Sequence, residues 1–309
     1  MSSSQQVVTP TVVTVTPVPP PSVAPELGSV SAFLRRLFRE KPLGAAGGVV
    51  CLLFLLAGLF ADQLAPYGFN QINPIHRLKP PSWEFLLGTD NLGRDVLSRC
   101  LYGARLSVII ALSAASLATS ISVMIGVVGG YIGGWVDMLL QRFVDAWMSF
   151  PGVVILIVVV AVFEPSMPTL IVTLGLLFGI GGSRVVRSAV VSVRENMYVH
   201  AAQSIGASTG RILLRHIIPN VLPAVIVLFT TTLGAAILAE SSLSFLGLGV
   251  PPPAPTWGYM LSFSGRMYMF QGPWLALAPG LSITLLVFAT NVFGDALRDL
   301  LDPRMRGSR

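Results

Sequence analysis

Six apolar runs constrain this chain more than any other feature. They extend over Leu43–Leu64, Leu106–Gly129, Val144–Phe163, Pro168–Val191, Leu222–Glu240 and Trp274–Phe293. A helix needs about 20 apolar residues to cross the hydrocarbon core of a bilayer. Lipid offers the backbone no hydrogen-bond partners, so a run of this kind crosses as a helix. Charged residues are 11% of the chain, against about 25% in soluble domains. The expected fold is therefore an all-α integral membrane protein with six transmembrane helices. The fourth run is the least regular, because Arg184 and Arg187 interrupt its end; long cationic side chains at a span end can snorkel to the surface. Cys51 lies in the first run and Cys100 near a membrane edge, which suggests two free thiols rather than a disulfide framework.

The segments between the runs give an order and an orientation. Residues 1–30 are rich in Ser, Thr, Val and Pro, and their first charge is Glu26. That composition predicts a disordered cytoplasmic tail, and it lacks the basic start and apolar core of a signal peptide. Residues 31–65 hold the first span, preceded by Arg35, Arg36, Arg39 and Lys41. Residues 66–105 read as an outward-facing loop, 106–295 as the core, and 296–309 as a cytoplasmic C-terminus. With both termini inside, the cytoplasmic segments take Arg142, Arg184, Arg187, Arg194, Arg211, Arg215, Arg298, Arg304, Arg306 and Arg309 besides the first four cations. The outer segments take Arg77, Lys79, Arg94, Arg99, Arg105 and Arg266. Of the 20 Lys and Arg, fourteen then face inward and six outward, as the positive-inside rule requires. The net charge of +6 is accounted for in this way and calls for no nucleic acid.

Residues 194–220, RENMYVHAAQSIGASTGRILLRHIIPN, form a polar-rich segment between two long apolar runs. The punctuation predicts two short helices. Asn196 would cap the first, which ends near Ile205. Gly206 would take the left-handed stop, and Ser208 would cap a second helix ending at Ile218 before Pro219. The chain has only two lysines, neither in a phosphate-binding G-x-x-x-x-G-K-[ST] loop. It has no H-E-x-x-H or clustered Cys/His pattern, and its three histidines are far apart. Enzymatic chemistry, cofactors and metals are therefore not expected. Ion-driven carriers often keep charges near the membrane centre. Here Asp145, Arg184, Glu240 and Asp295 fall at the ends of the runs, which points to an external energy source.

The elbow segment resembles the EAA loop of ABC importer membrane subunits. Ala201, Ala202, Gly206, Ile218 and Pro219 hold the matching places, and His200 stands where the family usually has Glu. LGTDNLGRDVLSR at 87–99, RFVDAWMSFP at 142–151, AESSLSFLGLG at 239–249 and NVFGDALRDLLDPR at 291–304 are similar to segments of the dipeptide/oligopeptide/nickel permease family. The extra first helix and the loop before LGTD resemble its C-type subunit. The resemblance covers about residues 31–305. It implies the type I ABC importer permease fold, and half of a translocation path for di- or oligopeptides in a bacterial cytoplasmic (inner) membrane. It also implies a second, related permease subunit, one or two ABC ATPase subunits that bind the ATP and magnesium, and an extracytoplasmic solute-binding protein. Nickel, haem or another small solute is the alternative cargo. A secondary carrier or channel, or an assembly protein, is the alternative class.

The resemblance assigns ATPase coupling to His200, Ala201, Ala202, Gly206, Arg211, Arg215 and Pro219. The bland alternative is that Gly206 only stops a helix. Asp90, Arg94 and Asp95 would form either an ion network at the outer mouth or a helix start capped by Thr89 or Asp90. The Pro- and aromatic-rich residues 249–274 suit contact with a substrate-delivery protein or interfacial anchoring equally well. Gly126, Gly129, Gly130, Gly133 and Gly134 are expected to let helices or turns pack closely.

Overall fold

A computed structural model describes residues 30–301, the side chains of Val30, Phe263 and Ser264 excepted. The expected tail, and Arg304, Arg306 and Arg309 at the C-terminus, lie outside the described residues. The fold is built from helices, and no strand occurs among the described residues. Five helices are long and apolar enough to cross a membrane, or six if one bent pair counts as a single span.

Helix α1 (Val30–Glu40) and the first span, α2 (Pro42–Leu59), divide the segment expected to be a single element. Pro42 stands at the first position of α2, where its missing N–H costs nothing. Leu37 of α1 is buried with Ala45, Ala296 and Leu300, and Lys41 Nζ lies 2.5 Å from Asp299 Oδ2. The span stops at Leu59, and a single turn, α3 (Ala61–Leu64), follows it. Exposed Leu52, Leu53, Leu56 and Leu59 line its outer face, as suits lipid.

Helix α4 (Val96–Ile132) begins well before Leu106, because Asp95 caps it: its carboxylate accepts from Ser98 N at 2.7 Å. At 37 residues it is about 55 Å long, and so protrudes beyond the membrane core. It packs most extensively on α7 (Met167–Arg194). Small residues allow this contact. Ala114, Ala118, Ser122, Gly126 and Gly130 recur every fourth position on α4, facing Gly175, Gly179 and Ser183 of α7. A Cβ on Gly126 would lie 2.7 Å from Val186 Cβ and 2.8 Å from Arg187 N; one on Gly130 would lie 3.0 Å from Arg187 O. The close-packing expectation holds for these two glycines. Gly133 (φ +71°) and Gly134 (φ +57°) instead turn the chain.

The third run does not form a straight span. It forms α5 (Gly134–Met148) and α6 (Gly152–Phe163), bent by 80°. Pro151 lacks an N–H and holds the preceding residue out of helical geometry, so the helix stops at Ser149 and restarts. By contrast, the fourth run is one unbroken helix. Its arginines pair with α5 rather than only snorkelling: Arg187 Nε and Nη2 bond Asp137 at 2.6 and 2.5 Å, and Arg184 bonds Asp145.

Beyond α7 come α8 (Met197–Ser204) and α9 (Thr209–Ile212), then a π-turn over Leu213–Ile217 that leads into α10 (Ile218–Phe245). The chain then forms α11 (Trp257–Met260), α12 (Arg266–Tyr268) and α13 (Trp274–Leu301). The second elbow helix does not end at Ile218. Pro219 only removes one rung of the ladder, so the helix widens over Leu213–Ile217 and continues. Asn220 Nδ2 bonds the His216 carbonyl at 2.6 Å. Helices α10 and α13 pack on α4 and on each other, and α13 also packs on α2. One end of the bundle carries the elbow; the other carries the long loops.

Candidate functional site

The elbow is a firmly held projection. Arg194 Nη1 donates to the Tyr131 and Gly130 carbonyls at 3.1 and 3.4 Å, which caps the end of α4 from α7. Asn196 occupies the cap position of α8 but makes no side-chain cap bond there. Its amide donates backward to Ser192 O and Val193 O at 3.1 and 2.9 Å, closing α7. Gly206 takes φ +80°. Its N–H donates to Gln203 O, and Ala207 N–H donates to Ala202 O, both at 3.0 Å. This is the Schellman pattern, and it needs a residue at ease in the left-handed region. Ser208 precedes α9 but makes no side-chain cap bond.

Burial divides the expected coupling residues in two. Ala202 joins Val199, Ile212 and Ile217 in a cluster with Val127, Val186 and Val190 of α4 and α7. It anchors the elbow from inside. His200, Ala201, Gly206, Arg211, Arg215 and Pro219 are exposed. Arg211 and Arg215 make no ion pair among the described residues. Motif reading missed the apolar tip: Met197 is 88% exposed, Ile205 85% and Leu214 71%. Ile205 stands directly before the left-handed glycine, which was the available signal. Desolvation raises the Tyr198 phenol above its ordinary pKa, so it stays a neutral hydroxyl; its ring lies 6.0 Å from that of His216.

The loop end holds the second expected group. Asp90 is 2% exposed and accepts from Leu92 N, Arg94 N and Arg94 Nε at 2.8, 2.9 and 2.7 Å. Arg99 Nε lies 3.8 Å from the same carboxylate, and Arg99 Nη1 bonds Phe69 O at 3.0 Å. Asp90 thus belongs to a buried ion network, while Asp95, rather than Thr89 or Asp90, is the helix cap. Thr89 bonds the His76 carbonyl and receives Lys79 N at 2.9 Å. In the Pro-rich loop, Trp257 is fully buried and donates to Cys100 O at 3.0 Å. Trp274 donates to Thr89 O at 3.1 Å. These two rings hold the loops together; Phe270 and Trp83 are the exposed ones.

Glu240 was read as a span-end charge, but it is fully buried against α4. Ser244 Oγ donates to it at 2.7 Å, Ser107 Oγ at 3.3 Å and Ser241 Oγ at 3.4 Å. The serines that follow it in the chain were the available signal. Among the described residues no group of three His, Cys, Asp or Glu is placed to hold a metal ion.

A bundle of apolar helices, a broken span and a rigid elbow at one end define a membrane-embedded transport component. Residues 122–307 match the model of the binding-protein-dependent transport system inner membrane component, and residues 32–81 match the N-terminal TM domain of oligopeptide transport permease C. The chain belongs to that inner membrane component family. It is 39% identical to a dipeptide transport system permease protein of Alkalihalophilus pseudofirmus, over 87% of this chain and 88% of that one. It is 36% identical to an oligopeptide transport system permease protein of Bacillus subtilis, over 87% and 88%. It is 39% identical to a glutathione transport system permease protein of Shigella flexneri, over 88% and 90%. An inward-facing structure of the MetNI methionine ABC transporter shares the fold, with TM-score 0.54 and 16% identity, over 65% of this chain and 96% of that one.

Proposed function

We propose that this chain is the membrane-spanning permease subunit of an ATP-driven importer for di- or oligopeptides in a bacterial cytoplasmic membrane, forming half of the translocation path. The observation that carries this reading is the 39% identity to a dipeptide permease across 87% of the chain. The elbow supports it. A projection anchored by Ala202, Val199 and Ile212 passes rigid-body motion to α7 and α10, and its apolar tip and two arginines offer a docking face. An ABC ATPase subunit binds that face and hydrolyses ATP with magnesium; this chain performs no catalysis. A second, related permease completes the path, and an extracytoplasmic solute-binding protein delivers cargo at the loop end. Both termini then lie in the cytoplasm, in keeping with the excess of Lys and Arg assigned to the elbow side.

The test is transport by the co-purified complex in vesicles, with di- and oligopeptides, nickel and haem as cargo. Peptide uptake that requires ATP is expected. Uptake of nickel or haem alone replaces the cargo, and uptake by this chain without ATPase subunits replaces the mechanism.

A further inference from the structure

Helix α1 (Val30–Glu40) belongs neither to the spans of the bundle nor to the elbow. Phe33, Leu34, Leu37 and Phe38 fall on one side of it, and Arg35, Arg36, Arg39 and Glu40 on the other. The apolar side is only half covered. Phe33 and Leu37 join Ala45, Ala296 and Leu300 in a cluster against α2 and α13. Leu34 and Phe38, one step further round the helix, remain 46% and 57% exposed. At about 100° per residue, Arg35 and Arg39 come next after that exposed stripe. Both are exposed and enter no ion pair among the described residues, whereas Arg36 Nε bonds Glu40 Oε1 at 3.2 Å.

The span that follows fixes where α1 stands. The 18 residues of α2 rise about 27 Å, close to the roughly 30 Å of the hydrocarbon core. The span therefore takes up the whole core, and Lys41 (φ −134°, ψ 66°) breaks the helix at its boundary. Three arginines in 11 residues keep α1 out of hydrocarbon. Its contact with Leu300 and the Lys41–Asp299 pair put it at the elbow end, because α13 ends beside Pro219 and Asn220. An exposed apolar stripe bordered by cations, one residue from the hydrocarbon boundary, is the arrangement of a helix lying in the membrane interface. Arg35, Arg36, Arg39 and Lys41 fall within seven residues, and a basic cluster of this kind beside a span attracts anionic headgroups. A protein partner fits the stripe less well, because it adjoins a span whose exposed Leu52, Leu53, Leu56 and Leu59 suit lipid.

We propose that α1 lies in the cytoplasmic membrane interface and binds anionic phospholipid: Leu34 and Phe38 enter the acyl boundary, and Arg35 and Arg39 hold the headgroups. Through Leu37 and the Lys41–Asp299 pair, that contact steadies the elbow end of α13. The choice of leaflet rests on the proposed orientation of the chain; the lipid contact does not.

The test uses the co-purified complex with a fluorophore on Ser31→Cys, two turns before Phe38 on the same side of the helix. Cys100 is buried and Cys51 part-buried, so the native thiols add little label. The complex is placed in mixed phosphatidylcholine and phosphatidylglycerol vesicles, where either lipid in turn carries a nitroxide quencher at headgroup depth. Quenching by the labelled phosphatidylglycerol should be about twofold stronger, or more, than by the labelled phosphatidylcholine. Arg35→Ala with Arg39→Ala should bring the two to equality without lowering the yield of complex. Equal quenching with both arginines in place overturns anionic recognition, and an unchanged ratio in the double variant overturns the role of the two arginines. No quenching by either lipid, with crosslinking of the introduced thiol to an ATPase or second permease subunit, makes the stripe a protein interface and overturns the proposal. If the double variant fails to assemble, the ratio measured with the arginines present still decides. Labelling of Ile205→Cys from outside intact cells overturns the leaflet and the proposed orientation together, whereas the quenching ratio in symmetric vesicles is independent of both.

Discussion

At the scale of single residues, Gly206 and Glu240 illustrate opposite kinds of constraint. Gly206 has no neighbour within 4 Å of a built Cβ, so space does not require glycine there; its φ of +80° does. A left-handed backbone costs a non-glycine residue about 1–2 kcal/mol. Gly206→Asn should therefore retain the elbow, since Asn tolerates this conformation. Gly206→Leu adds both strain and bulk at the exposed tip. It should leave the permease pair assembled while reducing ATPase co-purification, or uncoupling ATP hydrolysis from uptake. Normal uptake with normally stimulated hydrolysis would sink the docking role. Glu240 is held by burial and by three serine hydroxyls. Gln keeps one acceptor oxygen and turns its amide N–H towards the other hydroxyls, which can accept in turn, so Glu240→Gln should melt close to wild type. Glu240→Ala strips the hydroxyls of their acceptor and should cost about 1–3 kcal/mol, read as a lower melting temperature of the purified complex. The glycine was legible because its chemistry is local. The burial of Glu240 was not, because Ser107 lies 133 positions away and no local pattern announces the contact.

At the scale of elements, apolar length located the five long helices and the bent pair, but not the shape of each. The third run looked continuous because composition ignores where a proline falls; Pro151 divides it into two helices bent by 80°. The arginines of the fourth run appeared to be the irregularity, yet α7 is unbroken, and Asp137 and Asp145 on α5 pair with them. Those partners lie 50 and 39 positions away. If the Asp137–Arg187 pair orients α5 beneath α7, Asp137→Arg should reduce the yield of folded complex. Adding Arg187→Asp should recover much of it, because the swap restores opposite charges. No recovery in the double variant would mean that the pair does not set the orientation. The α4–α7 ridge allows less adjustment. Gly126→Leu places side-chain atoms against Val186 and the backbone of α7. Overpacking of this kind costs about 1–3 kcal/mol, so its melting temperature should fall even where assembly survives.

At the scale of the whole molecule, the two ends of the bundle differ in a way that can be read from outside. The elbow end presents Ile205, 85% exposed, and the loop end presents Trp83, 98% exposed. The native thiols give little background: Cys100 is buried and Cys51 lies part-buried within α2. On the proposed reading, the excess of Lys and Arg assigned to the elbow side puts the elbow in the cytoplasm, where an ATPase would reach it. In intact cells stripped of their outer envelope, a membrane-impermeant thiol reagent should therefore label Trp83→Cys and not Ile205→Cys. Permeabilising the membrane should expose the second site. In the assembled complex, the ATPase subunit should then shield Ile205→Cys from the reagent, while labelling at Trp83→Cys should not depend on the ATPase. The opposite pattern in intact cells would place the elbow outside and remove the physical basis for ATPase docking, however similar the sequence. Correct sidedness with no shielding would retain the membrane orientation but move the docking face away from the Ile205 tip, leaving the exposed Arg211 and Arg215 flank as the surface to vary next.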